Sequence, residues 1–378
     1  MRTARVGRQL RLAAGNLALV GTLGGASWLL ARRIHQDAFV PNHQPLPRDL
    51  EVVDSDSNTI RLRALSGRRD WKRGGIWGLE GAAAYARVGP ILELDRAEVV
   101  RELAPMSGGF EPGERVRMDN FAYPTDPQVA LGIPYDAVLV DSPLGQFPAW
   151  RVQGEDATWV IFVHGKGSSR AECLRMLETI HALGLPALSV TYRNDPATPL
   201  CPTGRHGYGL TEWTDLEAAV GYARQAGATR LILVGYSMGG AVVGHFLAHS
   251  AQAELVCGLI LDSPMISLVR TLEHAADQRA IGPLFSRSAR RLFRARYGID
   301  LGGFNCEEAI VNAAVPTLLF HGDADELVPI QTSDRLAQLG SEFVTYVATP
   351  GAHHVGSWNI DPAAYDRAVR NFVARCLG

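Results

Sequence analysis

The chain carries a serine at the apex of a sharp turn between a predicted strand and a predicted helix. An apolar run at 231–234 leads into Gly-Tyr-Ser-Met-Gly at 235–239, and small and apolar residues follow at 240–247. Glycines flank the serine because side chains there would clash across so tight a turn. A strand, a sharp turn and a helix in this order lift the hydroxyl of Ser237 above a sheet, where a substrate can reach it.

A serine hydroxyl is a weak nucleophile at neutral pH, so it needs a histidine to take its proton and an acid to orient that histidine. The chain offers both types on loops that follow predicted strands at 316–320 and 343–347. Parallel sheets flanked by helices place their sites at such carboxyl ends of strands. The candidates for the two roles are Asp323, Asp325, Glu326, His353 and His354.

A further apolar run, 159–163, leads into His-Gly-Lys-Gly at 164–167. Attack on a carbonyl creates an oxyanion, which backbone N–H groups must stabilise. We expect one N–H from Met238, next to the serine, and the other from Lys166 in this loop. His164 and His321 are expected to be structural residues that form hydrogen bonds beside the strand ends.

Four segments together resemble the α/β-hydrolase superfamily. They are His-Gly-Lys-Gly at 164–167, Gly-Tyr-Ser-Met-Gly-Gly at 235–240, His-Gly-x-x-Asp-x-x-Val-Pro at 321–329 and Gly-Ala-x-His at 351–354. The resemblance covers about residues 131–378 and is closest to small-cap esterases, thioesterases and serine-aminopeptidase-like members. It implies that Ser237 is the nucleophile, Asp325 the acid and His354 the base, but it names no substrate.

We therefore interpret the chain as a serine hydrolase that cleaves a carboxylic ester or thioester through an acyl-enzyme. A serine peptidase or amidase and an acyltransferase remain open, because they use the same triad. A catalytically silent binding protein of the same fold is the alternative from another class, and the intact triad disfavours it. We expect no cofactor and no metal, because the sequence lacks a P-loop, a dinucleotide-binding glycine motif and metal-ligand spacing. The expected partner is a small-molecule or lipid-like acyl substrate, and the oligomeric state stays open.

Charge is unevenly distributed along the 378 residues. Residues 1–33 hold six arginines and no acid, whereas the whole chain has a formal net charge of −2, which gives no reason to expect a nucleic-acid partner. Residues 12–31 carry no charge, and as a helix they would be long enough to span a bilayer. Most of these arginines precede the stretch, so the positive-inside rule predicts a membrane anchor within 1–40 and a catalytic domain outside the cytoplasm. A cleaved signal peptide, giving a secreted protein, and a cytoplasmic tail are the alternatives.

The rest of the chain divides into two predicted parts. Residues 41–130, which begin with a proline-flanked linker at 41–47, form short β-like runs separated by Gly, Pro and Asp. We expect a small β-rich module there, with a hairpin near 51–63 and strands near 88–95 and 115–121, which covers the core or spaces the enzyme from a membrane. Strands and helices alternate over 131–378 and predict a mostly parallel sheet with flanking helices. A small helical cap is expected at about 265–313.

The predicted cap contains four arginines at helical spacing. They are Arg287, Arg290, Arg291 and Arg294, with Leu292 and Phe293 between them. Such a helix could present its apolar residues to an acyl chain and its arginines to anionic head groups. The alternative is a solvated arginine face packed by two core residues.

Overall fold

The described N-terminal residues form a helix that packs against the C-terminal α/β domain. The computed structural model describes residues 25–65 and 70–378. Helix α1 occupies residues 25–34 and continues as a π-helical turn, His35–Phe39. Ala31 and Phe39 are buried in the core of this α/β domain. Most of the predicted anchor at 12–31 lies outside the described residues, and no helix within those residues is both long and apolar enough to cross a membrane.

Six antiparallel strands form a closed barrel. They are β1 (Leu50–Ser55), β2 (Thr59–Ala64), β3 (Trp77–Glu80), β4 (Tyr85–Leu94), β5 (Glu98–Ser107) and β6 (Arg115–Asp119). The strand order is β1-β2-β5-β4-β3-β6, and β6 pairs with β1, which leaves no free edge. The predicted β-rich module is therefore confirmed. Its closure was not predicted, because the sequence analysis did not identify β3 and β5.

The C-terminal α/β domain is built on a sheet of eight strands. They are β7 (Asp136–Ser142), β8 (Gly145–Val152), β9 (Thr158–Val163), β10 (Ala187–Val190), β11 (Arg230–Tyr236), β12 (Val256–Asp262), β13 (Thr317–Gly322) and β14 (Val344–Thr349). Their order is β14-β13-β12-β11-β9-β10-β8-β7, parallel except where β8 pairs with β7 and β10. The predicted α/β-hydrolase fold is thus confirmed.

Helices cover both faces of this sheet. They are α2 (Pro127–Leu131), α3 (Leu174–Ala182), α4 (Trp213–Gln225), α5 (Met238–His249), α6 (Leu268–Asp277), α7 (Pro283–Tyr297), α8 (Glu307–Ala313), α9 (Gln331–Leu339), α10 (Ser357–Ile360) and α11 (Pro362–Leu377). Helices α6, α7 and α8 fall in the stretch predicted to be a cap.

The apolar strands place side chains in two hydrophobic cores, one on each face of the sheet. On β9, Trp159, Ile161 and Val163 enter one core, while Val160 and Phe162 enter the other. Successive side chains of a strand point to opposite faces, so a strand covered on both sides reads as a continuous apolar run. This arrangement fixes the strand ends where the candidate site lies.

Candidate active site

Ser237 stands in a strained backbone conformation between β11 and α5. Its φ is 50° and its ψ is −115°, a combination that non-glycine residues rarely adopt. Ser237 N–H donates to the Asp262 carbonyl at 3.0 Å, and its own carbonyl accepts from Met265 N–H at 2.9 Å. A Cβ at Gly239 would lie 2.1 Å from the Val163 carbonyl oxygen, so only glycine fits there.

His354 connects Ser237 to Asp325. Its Nε2 lies 2.8 Å from Ser237 Oγ, and its Nδ1 lies 2.8 Å from Asp325 Oδ2. An ionised carboxylate only accepts hydrogen bonds, so Nδ1 carries the proton and Nε2 is left to accept from the serine hydroxyl. The structure therefore brings the three predicted residues into one continuous hydrogen-bonded chain.

Asp325 is buried and held from several sides. Its Oδ1 accepts from the N–H groups of Leu327 and Val328 at 2.8 and 2.9 Å, and its Oδ2 also lies 3.2 Å from His321 Nε2. Burial raises the pKa of Asp325, but hydrogen bonds from His321 and His354 outweigh it and leave that pKa well below its ordinary value. The carboxylate is therefore ionised at neutral pH and can orient His354.

The competing acids have other surroundings. Asp323 Oδ1 accepts from Gly351 N–H at 2.6 Å, which ties two loops together. Glu326 is exposed, and its main-chain carbonyl accepts from the Gln278 side chain. Neither carboxylate forms a hydrogen bond with His354.

The loop after β9 lies directly against the serine. A Cβ at Gly165 would be 3.1 Å from Ser237 Cβ. Gly165 N–H donates to Glu172 Oε2 at 2.8 Å, so it points away from the substrate side. The N–H groups of Lys166 and Met238 donate to no other group in the described part of the chain. Met238 is also the first residue of α5, where the helix dipole favours negative charge.

His164 holds the start of this loop. Its Nδ1 lies 2.8 Å from the Gly165 carbonyl oxygen, and its Nε2 lies 2.8 Å from Asp195 Oδ2. Burial lowers the pKa of His164, but the adjacent Asp195 carboxylate produces a net increase. His164 thus occupies the structural position expected of it beside a strand end.

The Lys166 amine fastens the N-terminal segment instead of facing Ser237. Its Nζ donates to the Asp37 carbonyl at 2.8 Å and lies 3.4 Å from the Ala38 carbonyl oxygen. Tyr208 Oη donates to the same Ala38 carbonyl at 2.6 Å. The sequence gives no local signal for this contact, because the partners of Lys166 are main-chain atoms that lie about 130 residues before it.

A cavity of about 990 Å³ opens at Ser237 and His354. Its apolar walls come from the N-terminal segment, the barrel end and the cap. They include Ile34, Leu46, Met118, Phe121, Leu268 and Leu272. The stretch predicted to be a linker and the β-rich module thus contribute to the site directly, beyond the covering or spacing role expected of them.

Two arginines of α7 form ion pairs, and one of them, Arg290, is partly buried and lines the cavity. Arg290 Nη1 lies 2.8 Å from Glu273 Oε1, and Arg294 Nη1 lies 3.1 Å from Asp300 Oδ2. Phe293 is buried, whereas Leu292 is exposed. Arg287, Arg291 and Arg294 are exposed to solvent, whereas Arg290 belongs to the cavity wall.

His206 also lines the cavity, and it leads to a prediction for stability. Burial, with the nearby Lys166 charge acting in the same direction, lowers the pKa of His206 from 6.5 to about 4. The unfolded chain takes up this proton near pH 6.5 and the folded chain only near pH 4, so the free energy of unfolding should fall as the pH drops through this interval. Urea unfolding at a series of pH values should show a shallower decline for His206→Gln than for the wild type. Equal slopes would contradict the contribution of His206.

The comparisons with known proteins identify the fold family of this chain. Residues 161–355 match the α/β hydrolase fold family, and residues 51–119 match a domain family of unknown function, DUF8805. An uncharacterized protein of Mycobacterium tuberculosis, Rv2307c, is 28% identical over 218 residues, which cover 57% of this chain and 69% of that protein. The uncharacterized protein YfhR of Salmonella typhi is 27% identical over 191 residues, which cover 45% of this chain and 60% of YfhR.

Among solved structures, the Pyrococcus furiosus esterase Pf2001 superposes with a TM-score of 0.55. The two chains are 21% identical, and the superposition covers 68% of this chain and 96% of the esterase. At this identity the likeness shows a common fold and leaves the activity to be argued from the site itself.

Proposed function

The chain belongs to the α/β-hydrolase fold family, and on that basis we propose that it is a serine hydrolase that cleaves a carboxylic ester or thioester through an acyl-enzyme. The observation that carries the proposal is the hydrogen-bonded chain from Ser237 through His354 to Asp325. Ser237 lies beside two N–H groups that donate to no other group among the described residues, and it faces a cavity lined by both apolar and charged side chains. Nucleophile, base, orienting acid and oxyanion donors are the parts that acyl transfer needs.

In this mechanism Ser237 Oγ attacks the carbonyl carbon while its proton passes to His354 Nε2. Asp325 stabilises the imidazolium, and the N–H groups of Met238 and Lys166 bind the oxyanion of the tetrahedral intermediate. Collapse of the intermediate breaks the ester or thioester bond, and His354 protonates the leaving alcohol or thiol. Water then attacks the acyl-enzyme with the same proton transfers and releases the carboxylic acid and free Ser237.

The cavity favours an acyl group larger than acetyl. Each methylene that an acyl chain buries contributes roughly 0.8 kcal/mol. Leu46 is exposed to solvent yet lines the cavity, so a long acyl chain can contact it while acetate cannot reach far from Ser237.

We predict that medium-chain p-nitrophenyl esters outperform both the acetate ester and matched peptide anilides in kcat/KM. Leu46→Asp should lower the ratio of medium-chain to acetate turnover by roughly 3–10-fold, because it places a charge against the acyl chain. Leu92→Asp is the matched control, since Leu92 is a similarly exposed leucine on the barrel that does not line the cavity. Efficient cleavage of peptide anilides without esterase activity would contradict the substrate class.

A further inference from the structure

Two buried charged residues lie next to the candidate site and take no part in the mechanism. Glu172 and Arg175 are 6% and 3% exposed, and Glu172 Oε1 lies 3.5 Å from Arg175 Nη2. Buried charges are costly unless they are paired and hydrogen-bonded. The other hydrogen bonds of the two side chains show what this burial supports. They are formed with main-chain atoms of the loops that carry the catalytic groups.

Glu172 fixes the loop that holds Lys166. Its Oε2 accepts from Gly165 N–H at 2.8 Å and from Ser168 Oγ–H at 2.9 Å, so one oxygen clamps both ends of the loop. The Gly165 carbonyl is held from the other side by His164 Nδ1 at 2.8 Å. A trans peptide points its C=O and N–H in opposite directions, so these contacts set the direction of Lys166 N–H.

Arg175 fixes the loop that carries His354. Its Nη1 donates to the Val355 carbonyl at 2.6 Å, directly after the histidine. Val355 has a φ of 52°, which is a genuine outlier for a β-branched residue and requires support from its surroundings. The guanidinium also lies 5.6 Å from the ring centroid of Tyr236, the residue before Ser237.

Asn359 connects this pair to the barrel. Arg175 only donates, so its Nη1 faces Asn359 Oδ1 at 3.0 Å, and the amide nitrogen of Asn359 is left to donate. That nitrogen donates to the carbonyls of Ile76 at 2.7 Å and Asn120 at 3.0 Å. Ile76 precedes β3 and Asn120 follows β6, so both carbonyls belong to the end of the barrel at the cavity.

The barrel contact is close. The Asn359 carbonyl accepts from Ile76 N–H at 2.7 Å, and a Cβ at Gly75 would lie 2.2 Å from that carbonyl oxygen. Within the barrel, the buried Arg101 donates to the carbonyls of Gly75 and Trp71 and so holds the segment that leads to Ile76.

We propose that Glu172, Arg175 and Asn359 form a positioning network that holds the oxyanion loop and the His354 loop in their reactive arrangement and ties both loops to the barrel. None of the three side chains forms a hydrogen bond with a side chain of the triad, and Glu172 also lines the cavity. Its catalytic consequence rests on the proposed serine-hydrolase function. The barrel thereby acts on turnover through hydrogen bonds as well as through the cavity wall.

Kinetics per active site separate positioning from mere folding. For Glu172→Gln and Asn359→Leu, titration with a fluorophosphonate gives the concentration of competent serine, and ester hydrolysis gives kcat and KM. We expect kcat per labelled site to fall by roughly 10–100-fold with little change in KM, because oxyanion contacts act in the transition state. Glu178→Gln is the matched control, since it is the same substitution at an exposed glutamate of α3, six residues after Glu172. Fewer labelled sites with unchanged kcat per site would overturn the proposal.

Ser168→Ala covers the case in which the buried variants do not fold. Ser168 is half-buried, and its substitution removes one hydrogen bond to Glu172 while it leaves the charges in place. A several-fold fall in kcat per site is expected, and an unchanged kcat would refute the role of Glu172.

Amide hydrogen exchange tests the network without reference to activity. Peptides that span 160–172 and 350–360 should exchange faster in Ser168→Ala and Asn359→Leu respectively than in the wild type, and equal exchange would count against the network. A wild-type protein with neither esterase activity nor labelling would refute the proposed function, while the exchange rates would still decide whether the network holds the loops.

Discussion

Ser237→Ala should abolish covalent labelling by a fluorophosphonate and lower ester turnover by about 10⁴–10⁶-fold. The substitution removes only the hydroxyl oxygen, which is the atom that His354 Nε2 contacts at 2.8 Å. Without it no acyl-enzyme can form, and the residual rate would come from the oxyanion donors and substrate binding alone. Labelling followed by peptide mapping and initial-rate kinetics would measure both effects.

Ser286→Ala is the matched control for this prediction, because Ser286 lines the same cavity from the cap. That variant should keep its labelling and most of its turnover. Equal labelling of the wild type and Ser237→Ala would show that another residue is the nucleophile, and the proposed mechanism would then be wrong.

Short motifs allowed the sequence to predict the parts of the site that lie at strand ends. The turn around Ser237 needs glycine at position 239, where a side chain would clash with Val163. This requirement appears in residues adjacent to Ser237, so the sequence alone reveals the turn. The spacing of residues within the short motifs at 321–329 and 351–354 likewise singles out Asp325 and His354 from their neighbours. These are the two residues that the structure brings to Ser237 by hydrogen bonds.

Contacts between segments that are distant in sequence could not be predicted from local residue patterns. Arg175 lies at helical spacing from Glu172, and such a pair reads as an ordinary helix-surface ion pair. Its partner Val355 is 180 residues away and accepts through its main-chain carbonyl. Every residue has such a carbonyl, so the residue type at 355 gives no sign of the contact. An arginine and a glutamate within an otherwise apolar stretch were the available signal, because Leu174, Met176 and Leu177 beside them are buried in the core.

The closed barrel and the cavity wall also depend on contacts between segments that are distant in sequence. Strand β3 spans only Trp77–Glu80 and contains Gly78, so it carries little β propensity. Its pairing with β4 and β6 is what makes it a strand. The cavity wall at Leu46 likewise depends on where the N-terminal segment packs, which the sequence of a proline-flanked stretch does not encode locally.

Asp325→Asn and His354→Ala should each lower kcat/KM by about 10⁴-fold or more, while Asp323→Asn and His353→Ala should stay within roughly tenfold of the wild type. The amide of Asp325→Asn can donate to His354 Nδ1 and so favours the tautomer that cannot take the serine proton at Nε2. In Asp323→Asn the amide oxygen can still accept from Gly351 N–H, so that loop contact survives. The four variants differ in register by one or two residues, which makes each pair its own control.

Stability must be measured beside activity, because Asp325 is also held by His321 and by two main-chain N–H groups. Thermal unfolding identifies any variant that has lost its fold, whereas fluorophosphonate labelling cannot do so here, because it depends on the activation of Ser237 by His354. Among folded variants, a large loss of kcat/KM for Asp323→Asn with a small loss for Asp325→Asn would show that Asp323, and not Asp325, is the acid of the triad. The same reversal between His353 and His354 would move the base, and it would mean that the hydrogen bonds of His354 to Ser237 and Asp325 are not the ones used in turnover.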